Sequence, residues 1–364
     1  MKNAYISLLA LVFGIAAIYG GMALLAAPSV RLGNYLERRQ WEQGKGAYST
    51  LKDDLPFEVA SIHKEVFELA PRNNLILVGA SNTRDAIWPD TFTPPSGWHY
   101  HNIGISAATV TSMRLLVNFL NDVAGHPPNK TDVVVVNLWY ANLWNRPLKD
   151  DYLKSDLEMF GQYRVDSSLQ VHGRPQHWRR ELALTNYRMH GALAWPFGWP
   201  QLEPGLDFPS LRRALGLLTE GRVIPAAAKP PRRGTAEAAE AYREFYGRLM
   251  QGTSIPGSTT DELKDLLRSL NAQTNVVVVN LYAASWHDAL PWQRDYQAWL
   301  KSDLEPILNR ENIPFIDFQN AIPDREFIDG AHLDKEGRIR YTHLFSESIA
   351  RVLPNVKHNH KKPQ

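Results

Sequence analysis

A serine, an aspartate and a histidine have the types and positions needed for nucleophilic catalysis. Ser81 follows the apolar run 74–79 after a single alanine, and Asp329 and His332 lie three residues apart far downstream, just before a predicted C-terminal helix. A histidine bonded to a serine takes its proton as the serine attacks a carbonyl, and a carboxylate orients that histidine. The three residues therefore indicate acyl chemistry through an acyl-serine.

The position of Ser81 strengthens this interpretation. Open α/β sheets bind ligands at the carboxyl ends of their strands, where the following helix offers unpaired N–H groups to a developing oxyanion. The alternative is that Ser81, Asn82 or Thr83 is only a helix N-cap. Asp-x-x-His alone is also compatible with a surface turn, so only the combination of the two segments favours catalysis.

Several other chemistries are excluded by missing motifs. Residues 79–83 lack the second glycine of the Gly-x-Ser-x-Gly elbow, which disfavours an α/β-hydrolase. The chain contains no phosphate loop, no Gly-x-Gly-x-x-Gly and, among twelve histidines, no His-Glu-x-x-His. Without cysteine there is no thiol nucleophile and no sulfur-bound zinc. We therefore expect neither a metal nor a cofactor.

Alternating strands and helices would position these residues. Compact apolar runs cover 74–79, 131–139, 274–282 and 313–318, with a shorter candidate strand at 99–104. Continuous Val, Ile and Leu runs of this length are typical of parallel strands buried on both faces. The pattern predicts an α/β fold, a three-layer α/β/α sandwich with a mostly parallel sheet.

One segment interrupts this alternation. Residues 145–258 are rich in Trp, Pro and Arg, and we expect a largely helical insertion with one helix starting at Thr235. The helix that follows is predicted to open with a capping box of Thr259 and Glu262.

The N-terminus predicts a membrane anchor. Residues 4–27 carry no charge and, at about 1.5 Å per helical residue, could cross a hydrocarbon core of about 30 Å. A cleaved signal peptide and a buried helix are the alternatives. By the positive-inside rule, Arg31, Arg38 and Arg39 would favour keeping the residues after the anchor in the cytoplasm. Long domains that follow an anchor are nevertheless exported largely regardless of charge. We expect a single-pass signal-anchor in the cytoplasmic (inner) membrane, with the rest in the periplasm or outside the cell.

The predicted organisation has six parts: a transmembrane signal-anchor (1–28), a stalk with an N-terminal helix (29–70), the first part of the α/β domain (71–144), the helical insertion (145–258), the second part of the domain (259–352) and a basic tail (353–364).

The composition, 44% hydrophobic and 21% charged, is that of a folded protein. A net charge of +2 without a basic stripe argues against a nucleic-acid partner.

Four segments in this order resemble the sequence blocks of the SGNH, or GDSL-type, hydrolase superfamily, whose fold is a flavodoxin-like three-layer sandwich: 76–84, 101–109, 133–139 and 329–345. The resemblance implies Ser81 as nucleophile, His332 as general base and acid, and Asp329 as the residue that orients His332. It also implies that the backbone N–H of Gly104 joins that of Ser81 in the oxyanion hole.

The third block departs from the Gly-x-Asn-Asp of the family. Here the strand ends Asn137-Leu138-Trp139-Tyr140, so Asn137 is a candidate side-chain donor to the oxyanion, with Asn142 behind it. Arg84 is a candidate contact for an anionic substrate group, with an exposed helix arginine as the alternative. Six tryptophans are candidate stacking surfaces for sugars, with core or interface packing as the alternative: Trp139, Trp144, Trp178, Trp195, Trp199 and Trp286.

The anchor, a serine block reading Gly-x-Ser and the insertion are more similar to one subgroup, the DltD-like and alginate-acetylation-type proteins. These work outside the membrane beside a membrane-bound O-acyltransferase and move acyl groups onto cell-surface polymers. The alginate-type proteins usually place their Asp and His before the serine. Here Asp329 and His332 follow Ser81, so the order favours the DltD-like arrangement. The resemblance implies an acetyl or D-alanyl group, a glycan or acyl carrier as substrate, and an integral-membrane O-acyltransferase as partner.

Two other functions fit the sequence. One is a membrane-tethered scaffold that binds a glycan or an acyltransferase without catalysis, which the imperfect third block favours. The other is a secreted lipase or esterase acting on free lipid esters, which the triad alone would allow.

Overall fold

The computed structural model describes residues 68–88, 91–105, 107–144, 163–173, 236–250 and 254–358, with scattered positions before 68 and between 153 and 157. The chain divides into two units, one of residues 1–60 and 175–229 and one of residues 61–174 and 230–364. All elements named below belong to the second unit.

Five parallel strands form the sheet: β1 (Asn74–Val78), β2 (His99–Asn102), β3 (Val133–Leu138), β4 (Asn275–Asn280) and β5 (Phe315–Asp317). Their order across the sheet is β2-β1-β3-β4-β5, and each neighbouring pair is parallel. The chain thus adds β2 on one side of β1 and all later strands on the other. The predicted α/β class with a mostly parallel sheet is confirmed.

The helices have these bounds: α1 (Ser81–Arg84), α2 (Val110–Val123), α3 (Ala236–Leu249), α4 (Gly257–Gln273), α5 (Pro291–Trp299), α6 (Glu305–Glu311) and α7 (Lys335–His358). Short 3₁₀ turns lie at Tyr140–Leu143, Ser285–Ala289 and Asp324–Glu326, and a π-helical turn, Leu300–Leu304, joins α5 to α6. Helix α2 contacts β1 and α4, and α4 contacts β4.

Helices cover the strands, and this explains their continuous apolar sequences. Alternate residues such as Leu75, Leu77 and Val135 form one core with Tyr341 and Phe345 of α7. The intervening strand residues are equally buried, so every position of β1 and β3 is removed from water. A strand buried on both faces has no polar face, which is why these strands lack alternation.

The predicted capping box at Thr259 is wrong. Helix α4 begins earlier, at Gly257, and its N-cap Pro256 makes no side-chain capping bond. Glu262 instead accepts a hydrogen bond of 2.8 Å from the hydroxyl of Thr111 in α2. The carboxylate of Glu262 thus bonds a residue of another helix, whereas the local sequence pattern predicted that it would cap α4.

The predicted insertion contains both a helix and a small antiparallel hairpin. The helix expected from Thr235 is α3, while the hairpin pairs residues 164–165 with 171–172 and was not predicted. Two residues of α2 hold this hairpin: Asn118 donates to the carbonyl of Leu169, and Asp122 accepts from the N–H of Val171. The remainder of residues 145–258, including Trp178, Trp195 and Trp199, lies largely outside the described residues.

The predicted signal-anchor (1–28) and stalk (29–70) also lie for the most part outside the described residues, as do residues 359–364 of the tail. Within the part of the chain that the structure describes, no helix has the length and apolar character needed to cross a bilayer.

Candidate active site

Ser81, His332 and Asp329 form one continuous hydrogen-bonded array. The Oγ of Ser81 lies 2.8 Å from Nε2 of His332, and Nδ1 of His332 lies 2.8 Å from Oδ2 of Asp329. These contacts fit a neutral imidazole that donates from Nδ1 to the carboxylate and accepts the serine proton at Nε2. The structure thus brings together residues from opposite ends of the domain.

Asp329 also shapes the loop that carries the histidine. Its Oδ1 accepts hydrogen bonds from the N–H groups of Ala331, at 3.0 Å, and His332, at 2.8 Å. One carboxylate oxygen therefore fixes the backbone and the other fixes the ring. The side chains of His332 and Asp329 are 17% and 19% exposed, so the array is shielded yet open to a small group.

The array shifts the pKa values of both titratable members. Burial by itself lowers the pKa of His332, but the charge and hydrogen bond of Asp329 outweigh it and raise that pKa above its ordinary value. Burial alone would raise the pKa of Asp329, but the charge of His332 and three hydrogen bonds lower it. The pKa of His332 is therefore shifted upward, and the ring loses its proton at a higher pH than an ordinary histidine does.

The serine turn depends on close approach of the backbone. Ser81 is the first residue of α1, and the carbonyl of Ala80 accepts the N–H groups of Thr83 and Arg84. A Cβ on Gly79 would lie 2.1 Å from the Thr83 hydroxyl, so that position has no room for a side chain. Glycine there lets β1 turn into α1 within two residues.

Gly104 packs against this turn from the side of β2. A Cβ on Gly104 would lie only 2.7 Å from the backbone nitrogen of Arg84. Its N–H, which the resemblance assigns to the oxyanion hole, donates instead to Oδ1 of Asn102 at 3.0 Å. The reason is local: Asn102 ends β2 two residues earlier, and its side chain turns back onto the following backbone.

Asn102 is a site residue that the sequence analysis missed. Its Nδ2 donates to the carbonyls of Thr83, at 3.1 Å, and Arg84, at 3.3 Å, while its Oδ1 holds Gly104. The side chain thus ties α1 to the end of β2. Its place two residues before Gly104 in the second block was the signal that could have identified it.

Tyr282, also missed, lies two residues after β4 and supports the serine turn. Its hydroxyl donates to the carbonyl of Asn82 at 3.1 Å, and burial raises its pKa far above the ordinary tyrosine value. The hydroxyl therefore stays protonated and remains a donor.

The two candidate amide donors differ in how firmly they are bonded. Asn142 accepts the N–H of Trp139 and donates to the carbonyl of Ala108, both at 2.7 Å, so it caps the turn after β3. Asn137 reaches the carbonyl of Val78 only at 3.4 Å, and its Oδ1 has no partner among the described residues. Of the two amides, Asn137 therefore makes the weaker hydrogen bonds within the protein when no substrate is bound.

The candidate substrate contacts are more enclosed than expected. Arg84 pairs with Asp85 through contacts of 2.9 and 3.2 Å, and both side chains are only 15% exposed. Trp139 is 7% exposed and packs edge-on against Tyr140 at 4.2 Å. Neither presents an open binding face, because the next residue in the sequence, Asp85 or Tyr140, already contacts the guanidinium or the indole.

Trp144 is half-buried at the edge of the domain. It lines a cleft of about 330 Å³, including its open mouth, together with Tyr140, Trp292 and Tyr296. Among the described residues, no group of three or more His, Asp and Glu converges as a metal site requires.

No family model matches the chain, and no curated protein matches it. Among solved structures the chain is similar to one described provisionally as a platelet activating factor from Streptococcus pneumonia. The identity is 10% and the TM-score 0.37, over 90% of this chain and 99% of that chain. A likeness of this extent carries no information on function.

Proposed function

We propose that the protein is an SGNH-type serine acyl-esterase or O-acyltransferase that works through an acyl-enzyme at Ser81. The observation that carries this proposal is the array in which Ser81 bonds Nε2 of His332 and Asp329 bonds Nδ1. Nucleophile, base and orienting carboxylate in hydrogen-bond contact are the arrangement that activates a serine.

The sheet topology supports the same proposal. The order β2-β1-β3-β4-β5 is that of flavodoxin-like sheets, which bind ligands where the strand order reverses, between β1 and β3. Ser81 lies three residues after the end of β1, and Asn137 is the second-last residue of β3. A three-layer SGNH fold would place its nucleophile at this edge.

The reaction would proceed in two halves. Ser81 Oγ attacks the ester carbonyl while its proton passes to Nε2 of His332, and Asp329 stabilises the imidazolium that results. The N–H of Ser81 and the amide of Asn137 would donate to the oxyanion. The leaving alkoxide takes the proton from His332. Water or a sugar hydroxyl then attacks the acyl-serine as its proton passes to Nε2 of His332, and His332 returns that proton to Ser81 Oγ as the bond from Oγ to the acyl group breaks. Water makes the protein a hydrolase, whereas the hydroxyl makes it a transferase.

The setting of this chemistry is proposed from the sequence. The uncharged run 4–27 supports a signal-anchor in the cytoplasmic membrane, with the catalytic domain in the periplasm or outside the cell. The DltD-like layout supports an acetyl or D-alanyl group, a cell-surface glycan or acyl carrier as substrate, and an integral-membrane O-acyltransferase beside it. Stacking of sugar rings on half-buried Trp144 would fit such a substrate.

Fluorophosphonate labelling of the purified full-length chain, followed by intact mass, tests the catalytic proposal. The Ser81 oxygen would bond to phosphorus as fluoride leaves, so wild type should gain one adduct and Ser81→Ala none. Ser302→Ala is a matched control, because the exposed Ser302 Oγ bonds a carboxylate, that of Asp303, directly, at 2.5 Å. Folded wild-type protein without an adduct would contradict the proposal.

A strain carrying Ser81→Ala tests the proposed substrate. Loss of acyl groups from a cell-surface polymer, with normal amounts of protein, is the expected result. Unchanged polymer acylation in a strain whose wild-type protein labels at Ser81 would favour a free esterase.

One observation favours the non-catalytic scaffold as a second candidate. The N–H of Gly104 and the amide of Asn142 are both bonded within the protein, so two of the expected oxyanion donors are occupied. A scaffold would bind glycan or acyltransferase equally well as wild type and as Ser81→Ala, and would give no adduct.

A further inference from the structure

A cluster of aromatic rings packs beside the loop that carries Asp329 and His332. We call it the aromatic cluster; its members are Trp139, Tyr140, Tyr246, Trp286, His287 and Trp292. They come from the end of β3, from α3, from the turn at 285–289 and from α5. Elements far apart in sequence thus meet at one face of the proposed catalytic loop.

The cluster touches the loop at Gly330, between Asp329 and His332. Gly330 has φ +88°, and a Cβ there would lie 2.2 Å from the Trp286 ring and 2.8 Å from Nε2 of His287. The N–H of Ala284 donates to the carbonyl of Gly330 at 2.9 Å. The backbone of the Asp329–His332 loop therefore packs directly against residues 284–287, and no side chain larger than that of glycine fits at position 330.

His287 makes this contact one of packing between neutral groups. Its side chain is fully buried, with the Trp286 ring 3.9 Å away between centroids. Burial lowers the pKa of His287 to about 3, against the opposing effect of Asp329. The ring is uncharged at any pH at which Ser81 would react, so its hold on Gly330 is steric.

Tyr246 brings helix α3 into this contact. Its ring centroid lies 5.3 Å from that of His287 and 6.3 Å from those of Trp286 and Trp139. Tyr246 is itself buried. Because α3 lies in the segment between β3 and β4, this segment reaches the Asp329–His332 loop through two layers of side chains.

We infer that Tyr246 is a positioning residue: by packing on Trp286 and His287 it seats Gly330, and so fixes His332 at hydrogen-bonding distance from Ser81. Misplacing a catalytic group by about 1 Å can cost roughly 100-fold in rate, so a buried ring two contacts away can control activity. A partner or substrate that moves α3 would then change the reactivity of Ser81. The catalytic meaning of this inference rests on the proposed function.

The test compares three variants of the purified full-length chain. Tyr246→Ala should lower the fluorophosphonate labelling rate of Ser81 and kcat for p-nitrophenyl acetate at least tenfold, with KM unchanged, because the loop shifts while the binding surface does not. Tyr246→Phe keeps the ring and should stay within about twofold of wild type. Tyr242→Ala removes a half-buried ring one turn earlier on α3, and its rates should also stay within about twofold of wild type.

A spectroscopic readout separates this inference from the proposed function. The proton between His332 Nδ1 and Asp329 should give a downfield NMR signal in wild type, and Tyr246→Ala should broaden or shift it. If wild type never labels but the signal behaves this way, the positioning role stands and the catalytic proposal fails.

Folded Tyr246→Ala with wild-type labelling and an unchanged signal would overturn the inference. Equal losses in Tyr242→Ala would also overturn it, since the effect would then belong to the helix as a whole. If Tyr246→Ala does not fold, Tyr246→Leu takes its place with the same expected outcomes, because leucine keeps buried volume without the ring.

Discussion

The two halves of the proposed site differ in how complete they are. On one side, Ser81, His332 and Asp329 are joined by two contacts of 2.8 Å. On the other, two of the expected oxyanion donors bond within the protein: Gly104 to Asn102, and Asn137 to the carbonyl of Val78. The nucleophile half is assembled, whereas these two donors of the oxyanion half are bonded to internal acceptors.

This difference follows from what each half needs. The three side chains of the nucleophile half supply donors and acceptors to one another, so they assemble without a substrate. Oxyanion donors have a partner only while the tetrahedral oxygen exists, and buried N–H groups otherwise take the nearest carbonyl or amide oxygen. Weakly held donors such as Asn137 should therefore be the ones that turn to the substrate.

Breaking the nucleophile half should have the largest effect. In Asp329→Asn the amide would favour the wrong tautomer of His332, and we expect kcat for p-nitrophenyl acetate to fall by about 10³–10⁴. Steady-state kinetics on folded protein measure this. A loss smaller than tenfold would mean that the 2.8 Å contact with Asp329 does not serve catalysis.

Substitutions in the oxyanion half should have smaller and separable effects. Asn137→Ala should lower kcat by about 10²-fold, the usual cost of one oxyanion donor. Asn142→Ala should instead reduce the free energy of unfolding by about 1–3 kcal/mol, because it leaves a buried N–H and carbonyl unpaired, with little change in kcat. Denaturant unfolding and steady-state kinetics on both variants check this. The reverse pattern would identify Asn142 as the donor.

The pH dependence should report on the nucleophile half alone. The raised pKa of His332 means that the labelling rate of wild type rises with pH through a midpoint above about 6.5. In Asp329→Asn the midpoint should fall below that of wild type, since burial, which lowers the pKa of His332, is then opposed only by the smaller effect of the Asp85 charge. Labelling rates between pH 5 and 9 give both midpoints. Identical midpoints would rule out Asp329 as the cause.

The same pair should contribute to stability over a defined pH range. The raised pKa of His332 stabilises the fold at low pH, and this contribution is lost as pH rises through the folded-state value. The lowered pKa of Asp329 stabilises it above the unfolded-state value, and this is lost as pH falls. The Tm of wild type minus the Tm of Asp329→Asn should therefore be largest between the two unfolded-state pKa values, 3.8 for Asp329 and 6.5 for His332, and should shrink as the pH passes either folded-state value.

The smallest effect is expected at Arg84. Its guanidinium is already matched to Asp85, so Arg84→Ala should change kcat and KM for p-nitrophenyl acetate by no more than about threefold. A rise in KM confined to esters that carry a carboxylate or phosphate would instead place Arg84 in an anion-binding contact.

Individual residues show how far prediction from the sequence could go. The strand ending at Val78 was predicted from a local apolar pattern, whereas the catalytic roles of Ser81, Asp329 and His332, which short motifs indicate, stay predictions. The prediction of a capping box at Thr259 was wrong, because the carboxylate of Glu262 accepts a hydrogen bond from Thr111 on another helix. The N–H of Gly104 was assigned to the oxyanion hole, yet Asn102, only two residues away, accepts it.

By itself, the sequence determined the α/β class, the parallel strands and the residue types of the nucleophile half, because apolar runs and residue order are local properties. Only the tertiary structure decided that His332 meets Ser81, that Asn102 holds Gly104 and that Tyr246 stands behind Gly330. The physical reason is that hydrogen bonds and ring contacts form between side chains from distant segments. Which partner a donor takes depends on the geometry of the whole domain, which no local pattern records.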